Sequence, residues 1–284
     1  MFIHINRNII CSDNLNILKK KMYFVTFSQS LPDPATYSME AIIFFFRDTI
    51  AFVYIIGFFV FWIILRCFFI FYNKENYIVP DNVSKYGIGN FFFKKVNFYA
   101  KGIKHYSNVE FIWTIIPALI LVIIGIPSFS LLYFIEQFSE PHIILRVEGH
   151  QWYWHYNIKQ LPPINLEETD CLFDSYMIPS DSLKLGQLRL LEVDNKVTLP
   201  TNTHIQVITS SVDVLHCWSV PALGMKLDCC PGRLNETMLY IRRPGIFYGQ
   251  CSEICGMNHA FMPIVVNSLK PLDYIITNHL NIKD

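Results

Sequence analysis

Charge is scarce in this chain. Asp, Glu, Lys and Arg make up 16% of its 284 residues, against about 25% in an average soluble domain. That shortage argues against a wholly water-exposed surface and for a membrane-embedded part. Acidic and basic residues cancel, 23 against 23. No bulk electrostatic attraction to nucleic acid follows, and no nucleic-acid partner is expected. Internal repeats are lacking, which excludes solenoid architectures. The eight cysteines are unevenly spaced in a chain too long to need covalent staples, so a disulfide framework is not expected. The apolar patch Met22–Phe27 is too short for a secretory h-region with a cleavage site. Residues 1–35 therefore read as an N-terminal extension, or as a leader removed after insertion.

What the chain does have is long apolar runs. One extends from Thr49 to Tyr72 with a single charge, Arg66, near its end. A second, from Phe111 to Ile135, carries no charge and contains Pro117 and Pro127. A spanning helix needs about 20 apolar residues, and membrane helices tolerate proline where neighbours re-satisfy the freed carbonyls. Residues 36–139 are therefore expected to form a transmembrane hairpin in contact with membrane lipid, with helices at about 49–72 and 111–135. The connecting loop, residues 73–109, is rich in lysine and poor in acid. By the positive-inside rule it faces the matrix or cytoplasm, with both termini opposite. From Glu140 the pattern changes to short β-prone stretches broken by Pro, Gly, Asn and Asp. Residues 140–284 read as a separate all-β sandwich or barrel.

The chemistry concentrates in Cys251-Ser-Glu-Ile-Cys255-Gly-Met-Asn-His259-Ala-Phe-Met262, with His216 upstream. Soft sulfur ligands with imidazole suit copper. A single-copper electron-transfer site needs one Cys. The second Cys, four positions on, would let two thiolates bridge two copper ions, with one His for each and Met262 and a backbone carbonyl completing the set. Sharing one electron over two ions keeps reorganisation small. A zinc site of two Cys and two His, at unusual spacing, and a Cys251–Cys255 disulfide remain open on this pattern. In Trp152-Tyr-Trp154-His-Tyr156, alternation puts three aromatic residues on one strand face, which by itself favours core packing. Ser107-x-x-Glu110 reads as a capping box opening the second helix.

These motifs resemble the subunit II family of cytochrome c oxidases. The resemblance rests on Gly149-His-Gln-Trp152-Tyr-Trp154, Glu192-Val-Asp194-Asn195, Asp213-Val-Leu-His216, Pro231-Gly-Arg233-Leu-Asn235 and Arg243-Pro-Gly-Ile-Phe-Tyr-Gly-Gln-Cys251 through Pro263. Glu110-Phe-Ile-Trp113-Thr-Ile-Ile-Pro117-Ala adds the membrane part. It implies a cupredoxin-like Greek-key domain on a two-helix anchor. It implies a binuclear CuA centre held by His216, Cys251, Cys255, His259, Met262 and the Glu253 carbonyl. The Glu253 carboxylate would help hold magnesium at subunit I. Reduced cytochrome c would deliver electrons near an exposed Trp152. They would pass to haem a of subunit I, where oxygen is reduced and protons are pumped alongside other oxidase subunits. Glu110 would stand near a proton-path entrance. Asp174 and Asp213 match acidic positions of the family and would face cytochrome c, while Val212 stands where the family often has an acid and the loop acids Glu167, Glu168 and Asp170 could compensate for it. The implied location is the mitochondrial inner membrane, with the domain in the intermembrane space. The lack of an Arg- and Ser-rich leader suggests synthesis inside the organelle. Cys217, Cys229 and Cys230 depart from the family pattern and read as small buried hydrophobes. Rivals are a metal-free quinol oxidase subunit and a copper-delivery protein.

Overall fold

The computed structural model describes residues 31–72, 105–161 and 169–281. The expectations for the extension before residue 31, for most of the lysine-rich loop, and for Glu167 and Glu168 lie outside the described residues.

The chain divides into two compact units, one of residues 44–130 and one of residues 1–43 with 131–284. The described residues of the first unit are helical and largely apolar. Helix α1 spans Tyr37–Tyr72 and α2 spans Ser107–Ile135. At about 1.5 Å per residue, the 29 residues of α2 exceed the roughly 30 Å hydrocarbon core. Both helices are long and apolar enough to cross a membrane, and none of their apolar windows is buried by protein. Helix α1 begins at Tyr37, well before Thr49, because Arg47 and Asp48 interrupt the hydropathy but not the helix. Helix α2 gains its first turn from Ser107. There the Glu110 carboxylate accepts from the Tyr106 N–H at 3.4 Å and lies 2.7 Å from His105 Nδ1. The capping thus reaches one residue further back than the Ser107 box suggested. Pro117 and Pro127 sit inside a continuous helix.

The second unit is a β-sandwich. Its strands are β1 (Ile143–His150), β2 (Tyr153–Gln160), β3 (Thr169–Ser175), β4 (Val197–Pro200), β5 (His204–Ser211), β6 (His216–Val220), β7 (Met225–Cys229), β8 (Asn235–Tyr240), β9 (Gly245–Cys251) and β10 (Pro263–Leu269). One five-stranded sheet runs β3-β2-β1-β5-β8 and the other β4-β10-β9-β6-β7. The β1–β5 and β4–β10 pairs are parallel and the remaining ladders antiparallel. Period-2 alternation explains the inner faces: Ile143, Leu145 and Val147 of β1 and Ile205 and Val207 of β5 are buried while their neighbours are not. They share one core with Trp154 and Tyr156 of β2 and Trp218, Val266 and Ile264 of the opposite sheet. Trp218 Nε1 donates to Tyr156 Oη at 3.2 Å, so these buried polar tips satisfy each other. A short helix α3, Pro271–Asn281, follows β10.

The segment before α1 belongs to this unit. Ala35 N–H donates to the Ala222 carbonyl and Thr36 Oγ1 to the Leu223 carbonyl, and Ala35, Thr36 and Met39 are buried. The fold is the all-β cupredoxin-like class with two apolar helices that the sequence indicated.

Candidate metal centre

Strand pairing gathers the site at one end of the sandwich. Strand β1 ends there at His150, β5 at Ser211 and β9 at Cys251, while β6 starts there at His216 and β10 at Pro263. The loop from Cys251 to Met262 closes that end. His216, Cys251 and Cys255 are all buried, and their ligand atoms lie within 4.8 Å of one another.

The donors fall into two groups around a thiol pair. The Cys251 and Cys255 Sγ atoms are 4.0 Å apart, and both cysteines are free. Cys251 Sγ lies 4.0 Å from His216 Nδ1 and 3.3 Å from the Glu253 carbonyl. Cys255 Sγ lies 3.5 Å from His259 Nδ1 and 3.6 Å from Met262 Sδ. Each thiol therefore has its own imidazole, and each has one weaker donor. A disulfide would need the sulfurs at about 2 Å, so the Cys251–Cys255 bridge is not what this loop forms.

Burial and charge treat the thiols differently. Burial raises both. At Cys251 this is outweighed by hydrogen bonding to His216 and by the N–H groups of Cys217 and Glu253, which bring it down to about 7. At Cys255 burial is reinforced by repulsion from Cys251, which pushes it up to about 12. The pair therefore resists carrying two negative charges until a cation offsets the repulsion between the thiolates.

The surroundings fix these donors. His216 is completely buried, and its Nε2 donates to Asp213 Oδ1 at 2.9 Å. That bond fixes the ring so that Nδ1 faces Cys251, where a metal would take the place of the proton the two groups share. Asp213 also accepts from the Gln151 and Val214 N–H groups, each at 2.6 Å. Desolvation works against its charge, yet the bonds from His216, Val214 and Gln151 hold it down at about 2. Asp213, read from the sequence as an acid of the outer face, thus also reaches inward to a ligand candidate. Gly149 explains its motif directly, since a Cβ there would stand 2.8 Å from the His216 ring.

Trp152 lies in the turn between β1 and β2, not on the strand, so the alternation of Trp154 and Tyr156 does not include it. Trp154 and Tyr156 are fully buried; Trp152 is half-buried. Trp152 Nε1 and Gln151 Nε2 both donate to the Cys255 carbonyl, at 3.2 and 2.8 Å. Trp154 Nε1 donates to the Met262 carbonyl at 3.1 Å. Gly256, at φ +119, packs beneath the Trp152 ring, where a side chain would be both strained and crowded. Gln151 is the contact that sequence reasoning missed, although it stands inside the quoted Gly149–Trp152 motif. Glu110 is not part of this site; it sits at the start of α2.

The outlying cysteines separate as well. Cys217 and Cys229 are buried and free, and burial pushes each up to about 12. Cys230 is half-buried and free. Asp174 is held by His155 Nδ1 at 2.6 Å. The Glu192-Val-Asp194-Asn195 motif is a structural clasp: Asp194 accepts from the Tyr176 N–H, and Tyr248 Oη donates to Glu192.

Comparison with known proteins gives the family. The chain is 47% identical over 253 residues to cytochrome c oxidase subunit 2 of Phytophthora megasperma, covering 88% of this chain and 86% of that one. It is 44% identical over 251 residues to the same subunit of Chondrus crispus, covering 88% and 90%. Among solved structures, the periplasmic domain of subunit II of cytochrome oxidase from Bradyrhizobium japonicum is 38% identical. That match covers 52% of this chain and 98% of that domain at a TM-score of 0.43. The family model for the periplasmic domain of cytochrome c oxidase subunit II matches residues 143–269, and that for its transmembrane domain matches residues 25–85 and 83–131. The sandwich that carries the thiol pair and the stretch that carries both apolar helices are therefore each accounted for, and the chain belongs to the cytochrome c oxidase subunit II family.

Proposed function

We propose that His216, Cys251, Cys255, His259, Met262 and the Glu253 carbonyl hold a binuclear copper centre that takes electrons from reduced cytochrome c. The observation that carries this reading is the pair of buried thiols, each beside its own imidazole Nδ1. The donor set fits copper: soft sulfur and imidazole in a site largely closed to water. Bound there, the copper would supply a one-electron carrier, and two ions held by these residues would share its charge change.

The protein's part is positioning. Asp213 keeps His216 in the tautomer that presents Nδ1. Gln151, Trp152 and Trp154 hold the Cys255 and Met262 carbonyls, so the ligand loop cannot follow a changing charge. The hydrogen bond from His216 favours the Cys251 thiolate, the form that binds a soft metal. Trp152 lies between the site and solvent, with its indole on the Cys255 carbonyl, and serves as the entry point for electrons. The electron leaves for haem a in subunit I, which reduces oxygen to water coupled to proton pumping. The Glu253 side chain is half-buried next to the ligand loop and would offer a hard oxygen to magnesium at the contact with subunit I. Glu110, at the first turn of α2, stands near a proton entrance. On this reading the chain sits in the mitochondrial inner membrane, with the 140–284 domain and both termini in the intermembrane space; the two apolar helices support a membrane location. A copper-delivery role fits less well, because exchange needs accessible ligands and His216 and Met262 are 0% and 1% exposed.

Electron paramagnetic resonance on the full chain in detergent, with copper analysis, tests this. The expected result is two coppers per chain and hyperfine coupling to both nuclei. One copper per chain with a four-line spectrum would overturn the binuclear assignment.

A further inference from the structure

The outer face of the first sheet carries a second group of ligating side chains, apart from the thiol pair. Alternation along β1 turns Glu148 and His150 away from the core, while Val147 and Gly149 face it. Strand β2 does the same with Tyr153 and His155, on either side of the buried Trp154. Register then brings these residues together. Glu148 pairs with His155, His150 with Tyr153, and His155 with Asp174 of β3. Directly opposite residues on one face have Cβ atoms about 4.5–5.5 Å apart. Two imidazoles and two carboxylates therefore share one patch across β1, β2 and β3.

Both imidazoles are held before any ion arrives. His155 Nδ1 donates to Asp174 Oδ1 at 2.6 Å, so Nε2 is the nitrogen available to a metal. A carboxylate behind a histidine fixes its ring and raises its basicity as a ligand. Asp174 is fixed in turn, since its carbonyl accepts from Asn195 Nδ2 at 2.8 Å. The His150 ring stacks on Tyr153 at 4.6 Å, and Tyr153 stacks on Tyr176 at 4.7 Å. The two imidazole centres are 6.3 Å apart, with their planes at 78°. Given metal–nitrogen bonds of about 2.0–2.1 Å, two imidazoles on one ion have centres roughly 4.5–6.5 Å apart. The observed spacing falls inside that range.

Among the described residues, only His216, Cys251 and Cys255 already bring three ligand atoms within 4.8 Å of one another. On the outer face the third ligand, Glu148, reaches the ion by turning about its side-chain bonds, and water takes the remaining position. The His155 and Asp174 side chains are 30% and 43% exposed, so an ion can enter from solvent. Imidazole with carboxylate, and no sulfur, suits a borderline divalent ion such as zinc rather than copper(I).

We propose that His150, His155 and Glu148 form a second metal site, for a divalent cation of the zinc type, with Asp174 as the residue that positions His155. The site shares no ligand with the thiol pair and does not rest on the copper reading. The other histidine pair of the sandwich, His142 and His204, has ring centres 6.5 Å apart but lacks the same backing: its planes are at 20°, and His204 Nδ1 bonds the Ser139 hydroxyl at 2.9 Å.

Calorimetric zinc titration of the full chain in detergent tests it. Copper is loaded first, so that the thiol pair does not compete. The variants are His150→Phe, which keeps a ring for the Tyr153 stack, His155→Gln, Asp174→Asn, and His142→Phe as a control, each checked by a thermal melt. The wild type should take up one zinc per chain, saturably. His150→Phe and His155→Gln should each bind at least about tenfold more weakly, and Asp174→Asn about 10–100-fold more weakly. His142→Phe should match the wild type. With cobalt(II) in place of zinc, Asp174→Asn should keep the visible difference spectrum at lower affinity, whereas loss of either imidazole should remove it. No uptake beyond copper, or uptake that His150→Phe and His155→Gln both leave unchanged, would mean adventitious binding only and overturn the site. A loss that follows His142→Phe instead would place the binding elsewhere and overturn it too. Unchanged affinity in Asp174→Asn would overturn the positioning role.

Discussion

Replacing Gly149 with alanine is the most discriminating perturbation of the site. Gly149 is in β1, paired with Trp154 on one side and Ser211 on the other. A Cβ built there meets His216 Cδ2 and Cγ at 2.8 Å and Cβ at 2.9 Å. Comfortable carbon contacts lie at about 3.5–4.0 Å, so something must move by roughly 0.7–1 Å. Gly149 cannot yield easily, because its carbonyl also accepts from Ser211 Oγ and the Val212 N–H. His216 must move instead, away from Asp213 and from Cys251. Overpacking of this kind costs about 1–3 kcal/mol. The backbone of Gly149 is not in the left-handed region, so the smaller unfolded-state entropy of alanine returns about 0.4–1 kcal/mol. The net is a destabilisation of about 0–2.6 kcal/mol, centred near 1, or a melting temperature lower by roughly 2–4 °C per kcal/mol for a domain of this size. Metal sites tolerate ligand errors of only about 0.2 Å, so copper affinity should fall by at least about tenfold, as when a second-shell partner is lost. The assay is a thermal melt of the metal-free chain alongside copper titration followed by its spectrum. If Gly149→Ala melts at or above the wild-type temperature and binds copper unchanged, the close approach does not position His216 and the reasoning fails.

Other expectations follow from the same contacts. Trp154→Phe keeps an aromatic ring but leaves the buried Met262 carbonyl without its donor, so the fold should lose about 1–3 kcal/mol and copper affinity should fall with it; a denaturant titration reads this. Trp152→Phe should leave the melt within about 1 kcal/mol and the copper spectrum intact, while rapid mixing at saturating cytochrome c shows slower electron transfer. A normal rate would remove Trp152 as the entry point. Asp213 is held at about 2, below its ordinary 3.8, so its carboxylate stabilises the metal-free fold above pH 3.8 and that contribution is lost as pH falls through about 2. The stability advantage of wild type over Asp213→Asn should accordingly be largest near neutrality and vanish near pH 2 in chemical denaturation. Glu253→Gln should keep both coppers, because its ligand is the backbone carbonyl, and lose magnesium in metal analysis of the assembled oxidase.

Much of this was legible in the sequence because it is written in local spacing. The apolar runs announced α1 and α2, and the placement of Cys251, Cys255, His259 and Met262 on one loop announced the thiol pair. What was not legible depends on long-range register. Period 2 places Trp152 with Trp154 and Tyr156, yet the turn before β2 takes Trp152 off the strand and turns its N–H onto the Cys255 carbonyl. Hydropathy put the first helix at Thr49, because an average over a window registers Arg47 and Asp48 but not the helical hydrogen bonds that continue through them. Asp213 looked like a surface acid, and it is exposed. Its bond to His216 Nε2 comes from the tight Ser211–His216 turn, where Ser211 Oγ also donates to the Val214 carbonyl and holds the loop closed.

The same contrast explains why the donors can sit on a loop and still be held firmly. Loop donors shift easily unless their backbone is tied to something rigid. Here Cys251 is the last residue of β9, His216 the first of β6, and Met262 immediately precedes β10, so these donors hang from paired strands. Cys255 and His259 lie between, and the Cys255 backbone is secured from the other sheet. Gln151 and Trp152, at the β1–β2 turn, grip the Cys255 carbonyl, and Trp154 of β2 grips that of Met262. The site is therefore clamped between the two sheets, and the aromatic motif of β2 acts on the metal loop through indole N–H groups. A residue whose indole both holds a ligand's backbone and reaches toward solvent is well placed to carry an electron without letting the ligands move. That ties the structural part of Trp152 to its proposed part in transfer, and it requires that Trp152→Phe, which loses the N–H and part of the ring system, slow the transfer more than it loosens the copper.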